Sequence, residues 1–150
     1  MSESILIVDD DITIVNLLEK LLKFNDFETR VAYSGREALR FIKNDPPDLV
    51  LLDIMMPEMD GFQVLIELRG DPATNQMPVV LLTALDDDGH TLGDWVRKTD
   101  GYVTKPFEPS ELIAVVRMVL DRSLEERAQE RAKRVDSLLE MLERVEEGRI

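Results

Sequence analysis

The sequence predicts an open, doubly wound α/β domain in which a parallel sheet lies between two layers of helices. Two observations carry this prediction. Short, apolar, β-branched runs recur at residues 4–8, 49–52 and 79–82, and such runs suit strands covered on both faces. Between them apolar residues return every three or four positions, the spacing that gives a helix one face for the core. Alternation of the two patterns implies β-α-β units with right-handed crossovers.

Along the chain, Ile5-Leu6-Ile7-Val8 opens as a strand that ends in acids. Ile14, Leu17, Leu18, Leu21 and Leu22 mark the first helix, and 27–32 a second strand. At Ser34-Gly-Arg-Glu37 the S-x-x-E spacing lets a Ser N-cap and a Glu three residues later satisfy each other's free backbone amides, so a helix carrying Ala38, Leu39 and Ile42 starts there. Residues 49–52 form the third strand, Val64, Leu65 and Leu68 a helix, and 79–82 the fourth strand. The stretch 86–94, rich in Gly and acids, predicts a short or displaced helix. A last strand at 101–104 precedes Pro109, placed at a first helical position where no amide is needed. The sum is five strands and five helices.

With 150 residues, 44% of them apolar, the chain can bury one sizeable core, so one domain (1–120) with an appendage (121–150) is expected. The absence of Cys excludes disulfides and thiolate metal sites. Apolar runs are too short to span a bilayer, and residues 1–4 lack the marks of a secretory signal, which together predict a cytoplasmic protein without a membrane partner. The formal net charge is −13, and residues 1–120 hold 22 acids against 11 bases. Such acidity repels nucleic-acid phosphates and suits a cation or a basic partner surface.

From Asp121 to Glu147 there is no Gly or Pro, and Leu124, Ala128, Val135, Leu138, Leu142 and Val145 follow heptad-compatible steps. A helix unbroken from 109 to 147 would run roughly 55–60 Å. Its stripe calls for cover, either by a second copy in a homodimeric coiled coil or as a linker to a further domain.

In doubly wound sheets the functional crevice lies beyond the carboxyl ends of the strands, where Asp9, Asp10, Asp53, Thr83 and Lys105 fall. Three neighbouring carboxylates require a shared proton or a bound cation. Hard oxygen donors without His or Cys favour Mg²⁺. Asp10 or Asp11 could instead cap the first helix, a role that leaves Asp53 unexplained. Thr83 can donate a hydrogen bond and Lys105 can neutralise phosphoryl oxygens. Together these groups would let an Asp53 oxygen attack phosphorus in line.

The motifs Ile-Leu-Ile-Val-Asp9-Asp10-Asp11, Leu-Leu-Asp53-Ile-Met-Met-Pro57-Glu-Met-Asp60-Gly61, Leu-Leu-Thr83-Ala84 and Lys105-Pro106-Phe107 are separated by 43, 30 and 22 residues between Asp10, Asp53, Thr83 and Lys105. Over residues 4 to 120 this pattern resembles the receiver domains of response regulators in bacterial two-component systems. The resemblance implies the flavodoxin-like strand order 2-1-3-4-5. It also implies that Asp53 accepts a phosphoryl group from a phosphohistidine of a sensor histidine kinase or phosphotransfer protein. Asp10, Asp53 and the Met55 carbonyl would hold Mg²⁺, with Asp9 acting through water, and Lys105–Pro106 would be cis. Thr83 and Tyr102 would form the switch. Where the family has Gly-Ala before the last strand, this chain has Lys98-Thr99. The resemblance also places Met55 and Leu85, two residues past Asp53 and Thr83, beside the phosphoryl site, where two apolar side chains imply slow self-dephosphorylation. His90, in a polar loop, reads as a solvated side chain.

Two rival readings stand beside this one. Asp9-Asp10-Asp11-Ile12-Thr13 matches the D-x-D-x-T signature of haloacid-dehalogenase-type phosphatases, with Asp9 as nucleophile and Asp11 as acid/base. Alternatively the acid pocket is vestigial and the chain is a coiled-coil adaptor that works without phosphorylation. The receiver reading makes the chain a signalling protein rather than an enzyme acting on an external substrate, with no direct nucleic-acid contact.

Overall fold

The computed structural model describes residues 2–83 and 99–122, together with Glu125, Glu126, Gln129, Ala132, Lys133 and Glu140. Strands β1 (Ser4–Val8), β2 (Glu28–Ala32), β3 (Leu49–Asp53), β4 (Val79–Thr83) and β5 (Gly101–Thr104) form one parallel sheet in the order β2-β1-β3-β4-β5. The described helices are α1 (Ile12–Phe24), α2 (Gly35–Asn44), α3 (Gly61–Gly70) and α4 (Pro109–Asp121). The expected α/β class and strand order 2-1-3-4-5 are both observed. The helix expected between β4 and β5, with Leu85 and His90, lies outside the described residues.

Alternation along each strand divides the core in two. Ile5, Ile7, Leu49, Leu51, Val80 and Leu82 pack with Val15, Leu18 and Leu22 of α1 and Leu112, Val116 and Val119 of α4. Leu6, Val8, Val50, Leu52, Val79 and Leu81 pack instead with Ala38 and Ile42 of α2 and Val64, Leu65 and Leu68 of α3. Each such side chain contributes about 1.5–3 kcal/mol of burial. Because both faces are covered, the strands show the continuous apolar runs seen in the sequence.

Local chemistry sets the helix ends. Asp11 caps α1, its Oδ1 accepting from the amides of Thr13 at 2.9 Å and Ile14 at 3.4 Å. Ser34 Oγ accepts from Glu37 N at 3.2 Å, the Ser half of the reciprocal cap that the spacing predicts. A reciprocal capping box joins Asp60 and Gln63 at the start of α3. At the other end of α1, Asp26 takes a positive φ of 69° while Phe27 N donates to Leu22 O at 3.1 Å.

One expectation is corrected here. The helix projected to run unbroken from 109 to 147 ends at Asp121, where Arg122 turns to extended backbone (φ −87°, ψ 139°) and its amide donates to Val119 O. The local sequence gives the reason: Ser123-Leu124-Glu125-Glu126 has the S-x-x-E spacing of a new helix start, which wants extended backbone just before it. Glu125 and Glu126 are helical. The heptad positions Leu124, Ala128, Val135, Leu138, Leu142 and Val145 lie outside the described residues.

Candidate functional site

The sheet delivers its chemistry to one edge because parallel strands end on the same side. Asp9 directly follows β1, and its amide donates to Ala32 O at 3.2 Å. Asp53 is the last residue of β3, which pairs directly with β1 through Val8 and Leu52. Thr83 ends β4. Lys105 follows β5, and its amide donates to Thr83 O at 2.7 Å.

These backbone positions bring the predicted side chains together. Lys105 Nζ lies 3.0 Å from Asp9 Oδ2 and 3.3 Å from Asp53 Oδ1. Carboxylate oxygens of Asp9, Asp10 and Asp53 lie within 4.8 Å of one another. Asp9 and Asp53 are buried, at 0% and 3% exposure, while Asp10 is exposed. Asp9 Oδ1 accepts from Asp11 N at 2.9 Å, and Asp53 Oδ1 accepts from Met55 N at 3.4 Å. Thr83 is buried at the same edge. The Lys105–Pro106 bond is cis. Tyr102, on β5, is half exposed.

Electrostatics at this edge is unbalanced. Burial, and next the neighbouring Asp9 charge, raise the Asp53 pKa from 3.8 to about 6, against the lowering influence of Lys105 and the Met55 amide. Burial opposes the Lys105 ammonium, but its hydrogen bond to Asp9 and the charges of both aspartates outweigh that and raise its pKa. A group of hard oxygens with excess negative charge fits a small divalent cation. The same geometry decides between Asp10 and Asp11: Asp11 is occupied in capping α1, and Asp10 joins the acidic group.

The loop between Asp53 and α3 holds features the sequence reading passed over. Gly61 N donates to Ile54 O at 2.9 Å. A Cβ on Gly61 would sit 2.4 Å from the Asp53 carbonyl oxygen and 2.8 Å from Ile54 Cα. Only a glycine lets α3 start this close to the end of β3. Its signal was the Asp60-Gly61 pair inside the motif.

A family model described as the response regulator receiver domain matches residues 5–117. The chain belongs to that family. This receiver is 39% identical over 130 residues to the response regulator MprA of Mycobacterium tuberculosis (strain ATCC 25177 / H37Ra), covering 87% of this chain and 56% of that protein. It is 44% identical over 117 residues to the response regulator PleD of Caulobacter vibrioides (strain NA1000 / CB15N), covering 78% of this chain and 26% of PleD. The chain therefore spans about half the length of these curated relatives, or less. Among solved structures, the receiver domain of Francisella response regulator 1452 matches with a TM-score of 0.74 at 34% identity, covering 81% of this chain and 98% of that one. The receiver is thus a signalling domain of two-component systems, and no helix among its described residues is long and apolar enough to cross a membrane.

The phosphatase reading loses its residues. Asp11, its acid/base, is turned into the cap of α1, and Asp9, its nucleophile, is buried against Lys105. Asp53, which that reading leaves idle, is a member of the cluster and pairs with Lys105.

Proposed function

We propose that Asp53 is the phosphoacceptor of this receiver, taking its phosphoryl group from a phosphohistidine on a sensor histidine kinase or phosphotransfer protein. The observation that carries this reading is the meeting of the Asp9, Asp10 and Asp53 carboxylates with Lys105 Nζ at one sheet edge. With Oδ1 engaged by Lys105 and the Met55 amide, Asp53 Oδ2 is the oxygen that attacks phosphorus. The new O–P bond forms as the P–N bond of the phosphohistidine breaks, and the imidazole leaves with the bonding pair and takes up a proton. Lys105 then neutralises charge on the phosphoryl oxygens, and the Thr83 hydroxyl donates a hydrogen bond to one of them.

Asp10, Asp53 and the Met55 carbonyl would hold Mg²⁺, with Asp9 acting through water. When bound, Mg²⁺ supplies charge neutralisation at the phosphoryl oxygens. Thr83 and Tyr102 form the proposed switch, and self-dephosphorylation is slow because Met55 presents an apolar side chain beside the acceptor. The chain catalyses its own phosphotransfer and acts in the cytoplasm, with residues 1–120 as the receiver and 121–150 as a separate helical segment through which two copies pair. Incubation with acetyl phosphate and Mg²⁺, followed by peptide mapping, tests the central claim: an acyl phosphate on Asp53 is expected, and one on Asp9 or none at all would refute it.

A further inference from the structure

The chain has no cysteine and seven methionines, so its sulfur chemistry rests on thioethers. Their surroundings differ sharply. Met56 is buried in the core, and Met59 and Met77 are partly buried against it. Met118, on α4, is 45% exposed, but α4 ends at the opposite edge of the sheet from Asp53. Met55 is 62% exposed, the most open of the described methionines. Its backbone amide donates to Asp53 Oδ1, so its side chain branches from the residue that grips the acceptor carboxylate.

We propose that Met55 is an oxidation site through which hydroperoxides shorten the life of the phosphorylated receiver; this rests on the reading of Asp53 as phosphoacceptor. The thioether sulfur attacks one peroxide oxygen with its lone pair, the O–O bond breaks, and the products are methionine sulfoxide and one molecule of water or alcohol. Sulfur is oxidised by two electrons and the peroxide is reduced by two. The change turns an apolar, flexible side chain into a polar one with a strong hydrogen-bond acceptor. An apolar thioether on the residue whose amide grips Asp53 gives water no partner. A sulfoxide oxygen there can hold a water beside the acyl phosphate.

The full chain is treated with dilute hydrogen peroxide, the oxidised positions are read by peptide mass spectrometry, and the half-life of the acetyl-phosphate-formed acyl phosphate is measured with Mg²⁺. Met55 is expected to gain oxygen ahead of Met118, and the half-life to shorten roughly fivefold, the size that one added hydrogen bond to an attacking water supplies. Met55→Leu should make the half-life insensitive to peroxide, Met118→Leu should not, and Met55→Gln should shorten it without peroxide. Oxidation of Met118 ahead of Met55, or an unchanged half-life in protein oxidised at Met55, overturns the inference while leaving Asp53 as acceptor. A Met55→Leu chain that responds to peroxide as fully as wild type also overturns it. Failure of the untreated protein to form any acyl phosphate overturns the underlying reading, and the inference with it.

Discussion

Buried charge occurs at both ends of this sheet, arranged in opposite ways. At the amino end, Asp100, just before β5, accepts from Val79 N at 2.9 Å and pairs with Arg69 Nη2 at 3.3 Å. Arg69 Nη1 in turn donates to the carbonyls of Met77 at 2.7 Å and Asn75 at 3.2 Å. In the Arg69–Asp100 pair an anion meets a cation, and backbone groups take up further hydrogen bonds, so among the described residues the network ties α3 to the starts of β4 and β5. At the carboxyl end, Asp9 and Asp53 share the ammonium of Lys105, with Asp10 close by. The Arg69–Asp100 cluster ties elements of the fold together, whereas the mismatched one is the site proposed to take up a cation and a phosphoryl group. A buried pair whose charges balance has little reason to react, and a buried excess of carboxylate does.

The largest expected effect separates the two clusters by function. Asp53→Asn should reduce acyl phosphate formation to background in the acetyl phosphate assay, while Asp100→Asn should leave a measurable fraction in whatever protein remains folded. Loss of phosphorylation in both variants to the same degree, at equal folded fraction by circular dichroism, would erase the distinction.

Stability gives the converse. Arg69→Ala removes the guanidinium that pairs with the buried Asp100 carboxylate, and breaking a buried pair on one side costs about 3–5 kcal/mol. Adding Asp100→Asn to it should restore part of that loss in urea unfolding, because the buried charge is gone. A cost below about 1 kcal/mol for Arg69→Ala would place this pair with surface ion pairs instead.

The third expectation concerns pH. The Asp53 pKa is raised from 3.8 to about 6, so the folded state holds this proton more tightly than the unfolded chain does. Its contribution to stability is therefore most favourable below pH 4 and is lost as pH rises through about 6, by at most about 3 kcal/mol. Metal-free protein should lose stability across this window, Asp53→Asn should flatten the loss, and millimolar Mg²⁺ should reduce it by favouring the ionised carboxylate. Unfolding curves that rise in stability through the same window in wild type, but not in Asp53→Asn, would reverse the sign and refute the imbalance.

The two ends also differ in how legible they were in the sequence. Asp9, Asp53, Thr83 and Lys105 each sit at the end of an apolar strand, and a parallel sheet sends all such ends to one edge, so pattern and topology sufficed to assemble them. By residue chemistry alone Asp10 and Asp11 were interchangeable, with only the family resemblance pointing to Asp10, and the backbone shows that it is Asp11 whose carboxylate faces the free amides of α1. Arg69 and Asp100 are 31 residues apart and meet only because β4 and β5 are neighbours at their starts. Neither lies in a motif, and a charged residue near a helix end or before a strand ordinarily reads as solvated. The break at Arg122 was missed for a different reason: with no Gly or Pro present, it rests on competition between continuing one helix and starting another.

The smallest effect compares two strained residues, one near each end of the sheet. Asp26, in the turn after α1, has φ 69°, and Glu58, in the loop after Asp53, has φ 64°. A left-handed conformation costs an L-residue roughly 1–2 kcal/mol, part of which a glycine recovers before its own larger unfolded-state entropy is counted. Asp26→Gly and Glu58→Gly should therefore each stabilise the protein by about 0.5–1 kcal/mol in thermal or urea unfolding. They should part company in phosphorylation. The loop holding Glu58 carries the Met55 amide that grips Asp53 and the Gly61 backbone that packs on it, so Glu58→Gly should alter the rate of acyl phosphate formation by loosening those supports. Asp26→Gly, at the far end of α1 from the acidic cluster, should leave that rate unchanged. Equal rate changes in the two variants would mean that strain anywhere in the domain reaches Asp53, and the carboxyl end would lose its claim to be a separately tuned site.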